Sequence, residues 1–398
     1  MAVEVDAERR AGLRFRFLDG AAELPAAEWD RLVRRGFHLH CLFVAAEAGG
    51  SLRPHHLLAR DDDGCRALFP AYLQESALHG DLHDRWLGPL ASLATRAGLT
   101  LRPTLAVTPP LVTASDPLGD TAGLDEQALE SVFDLLERRA RAARARAIVW
   151  PALGPGYETL VRHALRRGYL AFYGGCRAVL QVGWTSFEQY VATRAKGVRK
   201  TIRADLRILH ETGTSWTRTC DFAAEADEME ALYRDFFLRR NGRPAELPEG
   251  FFARLASARH PGVMAQTGRQ GRRLTTVSLN FTTPALLDGS FGGYAKGVPG
   301  GAVYVNDAIY QPILATAGST VTALDLGPAA LYAKVVRGAV LRPQLTLALG
   351  LTRATGVALR ALGRASAART RAKERRALRG LTDRLPPPWR PPIGGDPS

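Results

Sequence analysis

The stretch Leu324-Asp-Leu-Gly327, followed by Ala330-Leu-Tyr-Ala-Lys334 and Arg337-Gly338, decides how this chain is to be read. A short apolar run, a glycine turn and an amphipathic segment predict strand, turn and helix, with Lys334 and Arg337 on a common helix face. Upstream, Asn306-Asp307-Ala-Ile-Tyr310-Gln311-Pro312 belongs to a second amphipathic run. Polar groups gathered at the ends of elements on an apolar scaffold mark a site more often than a core.

Outward from this stretch, the second half reads as a strand at 215–220, helices at 223–240 and 249–258, and strands at 263–267, 272–283 and 286–294. A helix at 303–317, a strand at 321–326 and a helix at 329–337 follow. The first half has a comparable order. It reads as a strand at 13–18, a helix at 25–34 and a hairpin about Asp61-Asp62-Asp63-Gly64, whose arms are 57–60 and 67–74. A helix at 125–146 carries Leu129, Val132, Phe133, Leu136 and Ala140 at helical spacing, with acids leading and arginines following. A strand at 147–153, a helix at 157–167 closed by Gly168, and a strand at 169–182 complete it. This repeated order predicts an α/β (α+β) chain of two tandem domains, each with mixed sheets flanked by helices. The expected limits are 13–183 and 184–350, with a basic linking helix at 194–209. A basic, partly disordered tail covers 351–398, in which Arg353–Gly380 is a candidate helix.

At 398 residues the chain exceeds one ordinary core. It is 46% hydrophobic and 23% charged, which suits a globular protein. No apolar run approaches the about 18 residues that span a bilayer. Met1–Arg14 lacks the apolar segment of a secretory signal, and Cys41, Cys65, Cys176 and Cys220 form no CxxC pair. These features predict reduced thiols and a cytoplasmic location. Of the formal net charge of +14, the tail after 350 carries +8 (eleven Arg and Lys against three acids), leaving +6 for the body. That balance favours a polyanionic partner, namely tRNA, another nucleic acid or an anionic lipid surface touched peripherally. The other account of the tail is solubility.

Lys196, Arg199, Lys200, Arg203 and Arg207 recur at helical spacing, while Ile202, Leu206 and Leu209 are expected to face a core. Like charges so spaced repel, so they suit an anionic ligand such as phosphate; a solvated face is the plainer reading. The loop Tyr294-Ala-Lys296-Gly-Val-Pro-Gly-Gly301 either presents Lys296 and backbone N–H groups to an anion or makes a tight turn. His79 and His83 are four apart without the Glu of a metalloprotease helix, and no metal is expected. There is no GxSxG, GxxxxGK[ST] or strand-linked GxGxxG, so covalent, triphosphate and dinucleotide chemistry lack support.

Several stretches together resemble the FemAB-like group of the GNAT acyltransferase superfamily, over roughly Arg14 to Pro343. Tyr310-Gln311-Pro312-Ile313 and Lys334-Val-Val-Arg337-Gly338 resemble its Y-Y-Q-x-I and H-K-x-x-R-G motifs, with Ala333 before the lysine. Lys196 to Arg203 resembles the helix between its two halves. Pro70-Ala-Tyr72 with Ser76 and Gly80-Asp81 resembles another segment, with Asp81 where Glu is usual. Pro103-Thr-Leu105 and Pro109-Pro110 match a third in part. The resemblance implies transfer of an acyl group to an amine or, less often, a hydroxyl. The implied donor is aminoacyl-tRNA rather than a bound cofactor, and the acceptor is a peptidoglycan precursor or a small amine or hydroxylamine, as in antibiotic biosynthesis. Lys334 would then stand beside the reacting carbonyl and the tRNA 3′ end as the oxyanion donor. Arg337 and the 194–209 helix would hold phosphates. The general base stays open among Asp307, Asp81 and Tyr310. The usual GNAT pyrophosphate loop is visible in neither half, which disfavours acetyl-CoA. An acyl-CoA-dependent N-acetyltransferase and a non-catalytic nucleic-acid-binding protein are the alternatives. Ion pairing of Lys334 and Arg337 with Asp325 or Asp307 is the structural one.

Overall fold

The first half forms strands β1 (Glu8–Arg10), β2 (Leu13–Leu18), where buried and exposed residues alternate, β3 (Arg53–Pro54), β4 (His56–Arg60), β5 (Cys65–Phe69) and β6 (Ala71–Gln74). They are followed by β7 (Thr104–Val107), β8 (Leu118–Gly119), β9 (Ala147–Leu153) and β10 (Leu170–Gln181). The second half adds β11 (Ser215–Thr219), β12 (Val263–Gln270), β13 (Arg273–Thr282), β14 (Leu286–Tyr294), β15 (Ala323–Asp325) and β16 (Val340–Gly350). The computed structural model describes residues 8–10, 12–50, 52–75, 101–111 and 114–387. A five-stranded sheet runs β1-β2-β4-β5-β8. An eleven-stranded sheet runs β11-β12-β13-β14-β15-β10-β16-β9-β7-β6-β3. Helices flank these mixed sheets, which is the α/β architecture read from the element order.

The internal repeat shows in the large sheet. In the first half β7 is followed, after the short β8 of the other sheet, by the Glu126–Ala142 helix, β9, the Glu158–Arg166 helix and β10. In the second, β14, the helical run from 300 to 316, β15, the Leu331–Val336 helix and β16 follow one another. β7 pairs in parallel with β9, and β14 with β15. The final strands are exchanged: β10 lies between β15 and β16, and β16 lies between β10 and β9. β10 ends just before the 183/184 limit and pairs only with strands from beyond it. One core accordingly joins Phe133 and Trp150 of the first half to Leu345 and Leu347 of β16. Each large side chain so buried contributes roughly 2 kcal/mol.

Local signals shape the helices that bear on the site. Asp125 caps the Glu126–Ala142 helix by accepting from the Ala128 N–H at 2.7 Å, and Arg139 and Arg141 close its last turn. The Lys196–Glu211 helix forms where five cations recur, but its buried stripe is narrower than the spacing predicts. Ile202 and Leu209 are buried, whereas Leu206 is 38% exposed. Asp205 takes the inward position instead, because a buried arginine waits for it. The predicted helix at 303–317 is broken into Gly300–Val305, a π turn at Asn306–Tyr310 and Gln311–Thr316.

The basic segment after 350 forms a helix, Arg353–Ala377, which packs its Ala358, Leu359, Gly363 and Ser366 face on β10 and β16. Its only acid, Glu374, is buried and accepts from the Tyr173 hydroxyl at 2.6 Å and the Cys176 N–H at 2.7 Å. The helix is therefore part of the fold, and disorder expected within 386–398 falls, from 388 onward, outside the described residues.

Candidate active site

β14 and β15 run in parallel for three residues, Leu286–Asp288 against Ala323–Asp325, and then part. β14 continues to Tyr294, while β15 stops and the chain turns at Gly327, whose φ of +76° suits glycine. The Gly327 N–H donates to Asp325 Oδ1 at 2.9 Å, so Asp325 shapes this turn. The Leu331–Val336 helix then aims Lys334 back at it. Its Nζ donates to the carbonyls of Leu326 and, at 3.4 Å, Gly327. Lys334 is only 2% exposed. Burial pulls its amine down from 10.5 to about 7; Asp325 opposes this and Arg177 assists it.

Asp325 is the hub of a buried charge cluster where the strands part. Arg177 Nε donates to its Oδ2 at 2.8 Å, and Arg35 donates to the same oxygen. Arg35 also reaches Asp288 at 2.8 Å and Asp116 at 3.0 Å. Asp116 in turn accepts from the Gly154 N–H at 2.9 Å, just past the end of β9. Arg35 thus ties the opening between β7 and β9 to the opening between β14 and β15. Burial disfavours ionised Asp325, but Arg177 and Arg35 outweigh it and hold the carboxyl below the ordinary range. Burial pushes Asp288 the other way, with Arg35 opposing. Arg35 and Arg177 face the carboxyl groups of Asp116, Asp288 and Asp325, and the push of Asp288 towards its neutral form lessens the charge that this buried cluster must balance.

A second cluster lies on the other side of Lys334's helix. Arg337 donates to Asp205 at 2.5 Å and from Nε to the Tyr310 hydroxyl at 2.8 Å. The Tyr310 hydroxyl donates to the same Asp205 oxygen at 2.6 Å. Burial pushes the Tyr310 phenol up, and its hydrogen bond to Asp205 adds to this. Asp307, also on the π turn, faces the opposite way. It accepts from Gln266 Nε2 at 3.0 Å and from the Thr276 hydroxyl, and burial pushes its carboxyl well above the usual range. Around it Gln266 Oε1, Ser278 Oγ, Asn280 Nδ2 and Asn306 Nδ2 are buried without partners. A one-turn π insertion is a frequent mark of a functional site.

The fold agrees with a comparison to known proteins. The FemAB-like family model, described as peptidoglycan biosynthesis/recognition, matches residues 20–350. The chain belongs to the FemAB-like family. The fold is similar to that of FemX, with a TM-score of 0.54 and 8% identity over 81% of this chain and 93% of that one. It is similar also to the C-terminal DUF2156 domain of a protein described as a lysylphosphatidylglycerol synthetase from Agrobacterium fabrum. There the TM-score is 0.53 and the identity 14%, over 84% of this chain and 93% of that one. No curated protein matches the sequence.

In this FemAB-like protein the structure joins Tyr310 to Arg337 and keeps Asp307 apart from both. Lys334 and Arg337 share a helix, yet neither pairs with Asp325 or Asp307; Lys334 bonds carbonyls and Arg337 bonds Asp205. Lys196, Lys200, Arg203 and Arg207 are exposed on one helix, while half-buried Arg199 donates to the Arg194 carbonyl at 2.8 Å. Lys296 is exposed on its turn, where Gly300 is needed because a Cβ would lie 2.7 Å from the Tyr294 ring. Asp81 and the His79–His83 pair lie outside the described residues. Among the described residues no group of three His, Cys, Asp or Glu could hold a metal ion, and no helix is long and apolar enough to cross a membrane. Sequence reasoning missed Arg35, Asp116, Arg177, Asp205 and Asp288. One signal was Gly36, where a Cβ would meet the Phe281 carbonyl oxygen at 2.3 Å, a sign that the Arg35 loop is pressed against the second half.

Proposed function

We propose that this protein is an acyltransferase that moves an aminoacyl group from aminoacyl-tRNA to the amine of a peptidoglycan precursor or a small amine acceptor. The observation that carries this reading is Lys334, a buried lysine poised near neutrality where two parallel strands part, in a FemAB-like chain. The acceptor nitrogen attacks the ester carbonyl, a C–N bond forms, and the C–O bond to the 3′ hydroxyl breaks. The amine loses one proton and the departing hydroxyl gains one, without oxidation or reduction. As an ammonium ion, Lys334 stabilises the oxyanion, and with an amine near 7 it can also return a proton to the leaving oxygen. The exposed cations at 196, 200, 203 and 207 are suited to tRNA phosphates. Arg337 is committed to Asp205 and Tyr310, so it serves to anchor the lysine helix. The Tyr310 hydroxyl donates its hydrogen bond to Asp205.

The test uses the full chain with labelled aminoacyl-tRNA, acyl-CoA donors and peptidoglycan precursors or simple amines. Label should pass from tRNA to the amine, and Lys334→Ala should lower turnover by about a hundredfold or more while tRNA affinity stays within twofold. Transfer from acyl-CoA alone would overturn the donor. Binding of tRNA with no transfer from any donor would leave a non-catalytic binding protein.

A further inference from the structure

One basic surface among the described residues is not used by the transfer chemistry. Between the lysine helix and the C-terminal helix lies a cavity of about 610 Å³ lined by Tyr332, Lys373, Arg376, Ala377 and Arg379. Tyr332 follows buried Leu331 and precedes buried Lys334 on one helix, yet is itself 49% exposed. Lys373, Arg376 and Arg379 form no ion pair among the described residues. Glu374, the one acid of their helix, is turned inward onto Tyr173 and Cys176. Lys373 and Arg376, three apart near the end of the helix, repel each other, and Arg379 follows in the turn just beyond it.

We propose that this cavity docks single-stranded RNA, with phosphodiesters on Lys373, Arg376 and Arg379 and one unpaired base stacked on Tyr332. The inference rests on the aminoacyl-tRNA reading, and it adds a binding surface that lies on the reverse of the helix carrying Lys334. Two features favour RNA over a membrane at this hollow, which is broadly open to solvent. It offers an aromatic face together with cations, the pairing that binds single strands without regard to sequence. Its only aliphatic lining residue is Ala377, which leaves nothing to insert among acyl chains. The cations stand at the end of a helix whose C-terminal dipole also favours them, but that effect asks for no aromatic ring opposite.

The full chain, Arg376→Ala/Arg379→Ala, Tyr332→Ala and Tyr332→Phe are compared for binding uncharged tRNA and a short single strand ending in CCA across a salt series. Binding to phosphatidylglycerol vesicles and transfer from aminoacyl-tRNA are measured alongside. The three altered residues contact solvent, so unfolding temperatures should agree and any loss is one of binding. The double variant should bind both RNAs more weakly and lower the salt slope by about 1.4, for two lost phosphate contacts on a single strand. Tyr332→Ala should weaken binding about tenfold, and Tyr332→Phe should restore it. RNA binding unchanged in the double variant overturns the proposal, as does a loss confined to vesicles, which makes the surface a membrane contact. If the variants lose RNA while the unaltered protein transfers nothing from aminoacyl-tRNA, the docking site stands and the transferase reading falls. If the unaltered protein transfers and the variants bind RNA normally, the reverse holds.

Discussion

At the residue scale, the proton on Lys334 links stability and activity. Its amine is near 7 in the folded protein and 10.5 ordinarily, so between those values the unfolded chain holds the extra proton. Stability therefore rises with pH across that window, and the cost of burying the ammonium, on the order of a few kcal/mol, is fully present only below about 7. Lys334→Met removes this proton, so the rise of unfolding temperature between pH 7 and pH 10 should flatten. An unchanged slope would place the titration elsewhere. Because the proposed role needs the ammonium, kcat should fall as pH rises through about 7. Arg337 has a different kind of importance. Arg337→Ala strands the Asp205 carboxylate and should cost about 3 kcal/mol by urea unfolding. Adding Asp205→Asn should recover part of that loss; additive costs would show that the pair is not coupled.

At the element scale, the C-terminal helix depends on close approach to the sheet. Alanine for glycine within a helix ordinarily stabilises by roughly 1 kcal/mol. At Gly363 the sign should reverse, because the new Cβ would lie 2.3 Å from the Phe172 ring. Gly363→Ala should lower the unfolding temperature and speed hydrogen exchange along 353–377; a stabilised variant would mean that the helix sits further from β10. The helices were legible because their signals are local. The leading acids and following arginines of 125–146, the apolar spacing to Ala140 and the cations of 196–207 all act within a few turns. The narrowed stripe on the Lys196–Glu211 helix was not, since Asp205 turns inward only for an arginine 132 residues away. The π turn was illegible too, because the same residues read as an ordinary helix and only the strands beneath it show where Asp307 must point.

At the scale of the whole molecule, strand exchange binds the two repeats. Separating them would strip β15 and β16 of β10, and β9 and β10 of β16. Heating should accordingly give one cooperative transition with matching calorimetric and van't Hoff enthalpies, whereas two resolved transitions would show halves that fold alone. The same exchange delivers the charge cluster: Arg35 from the start of the chain, Arg177 from β10, and Asp288 and Asp325 from parallel strands of the second half.

Apart from the strands Thr104–Val107 and Val340–Gly350 and the helix His40–Glu47, the sequence by itself determined the main strands and helices, the repetition of their order, the basic surface and the family motifs about Tyr310 and Lys334. Each of these is written in neighbours a few residues apart, where periodicity and turn chemistry act. Only the tertiary structure decided what those side chains do. Asp325 meets Arg35 across 290 residues, Lys334 is enclosed by the turn that Asp325 shapes, and Arg337 finds Asp205 rather than an acid nearby. A charge has no periodicity to announce its partner; that partner is chosen by the strand order, and the low dielectric of the place where the strands part makes the choice matter.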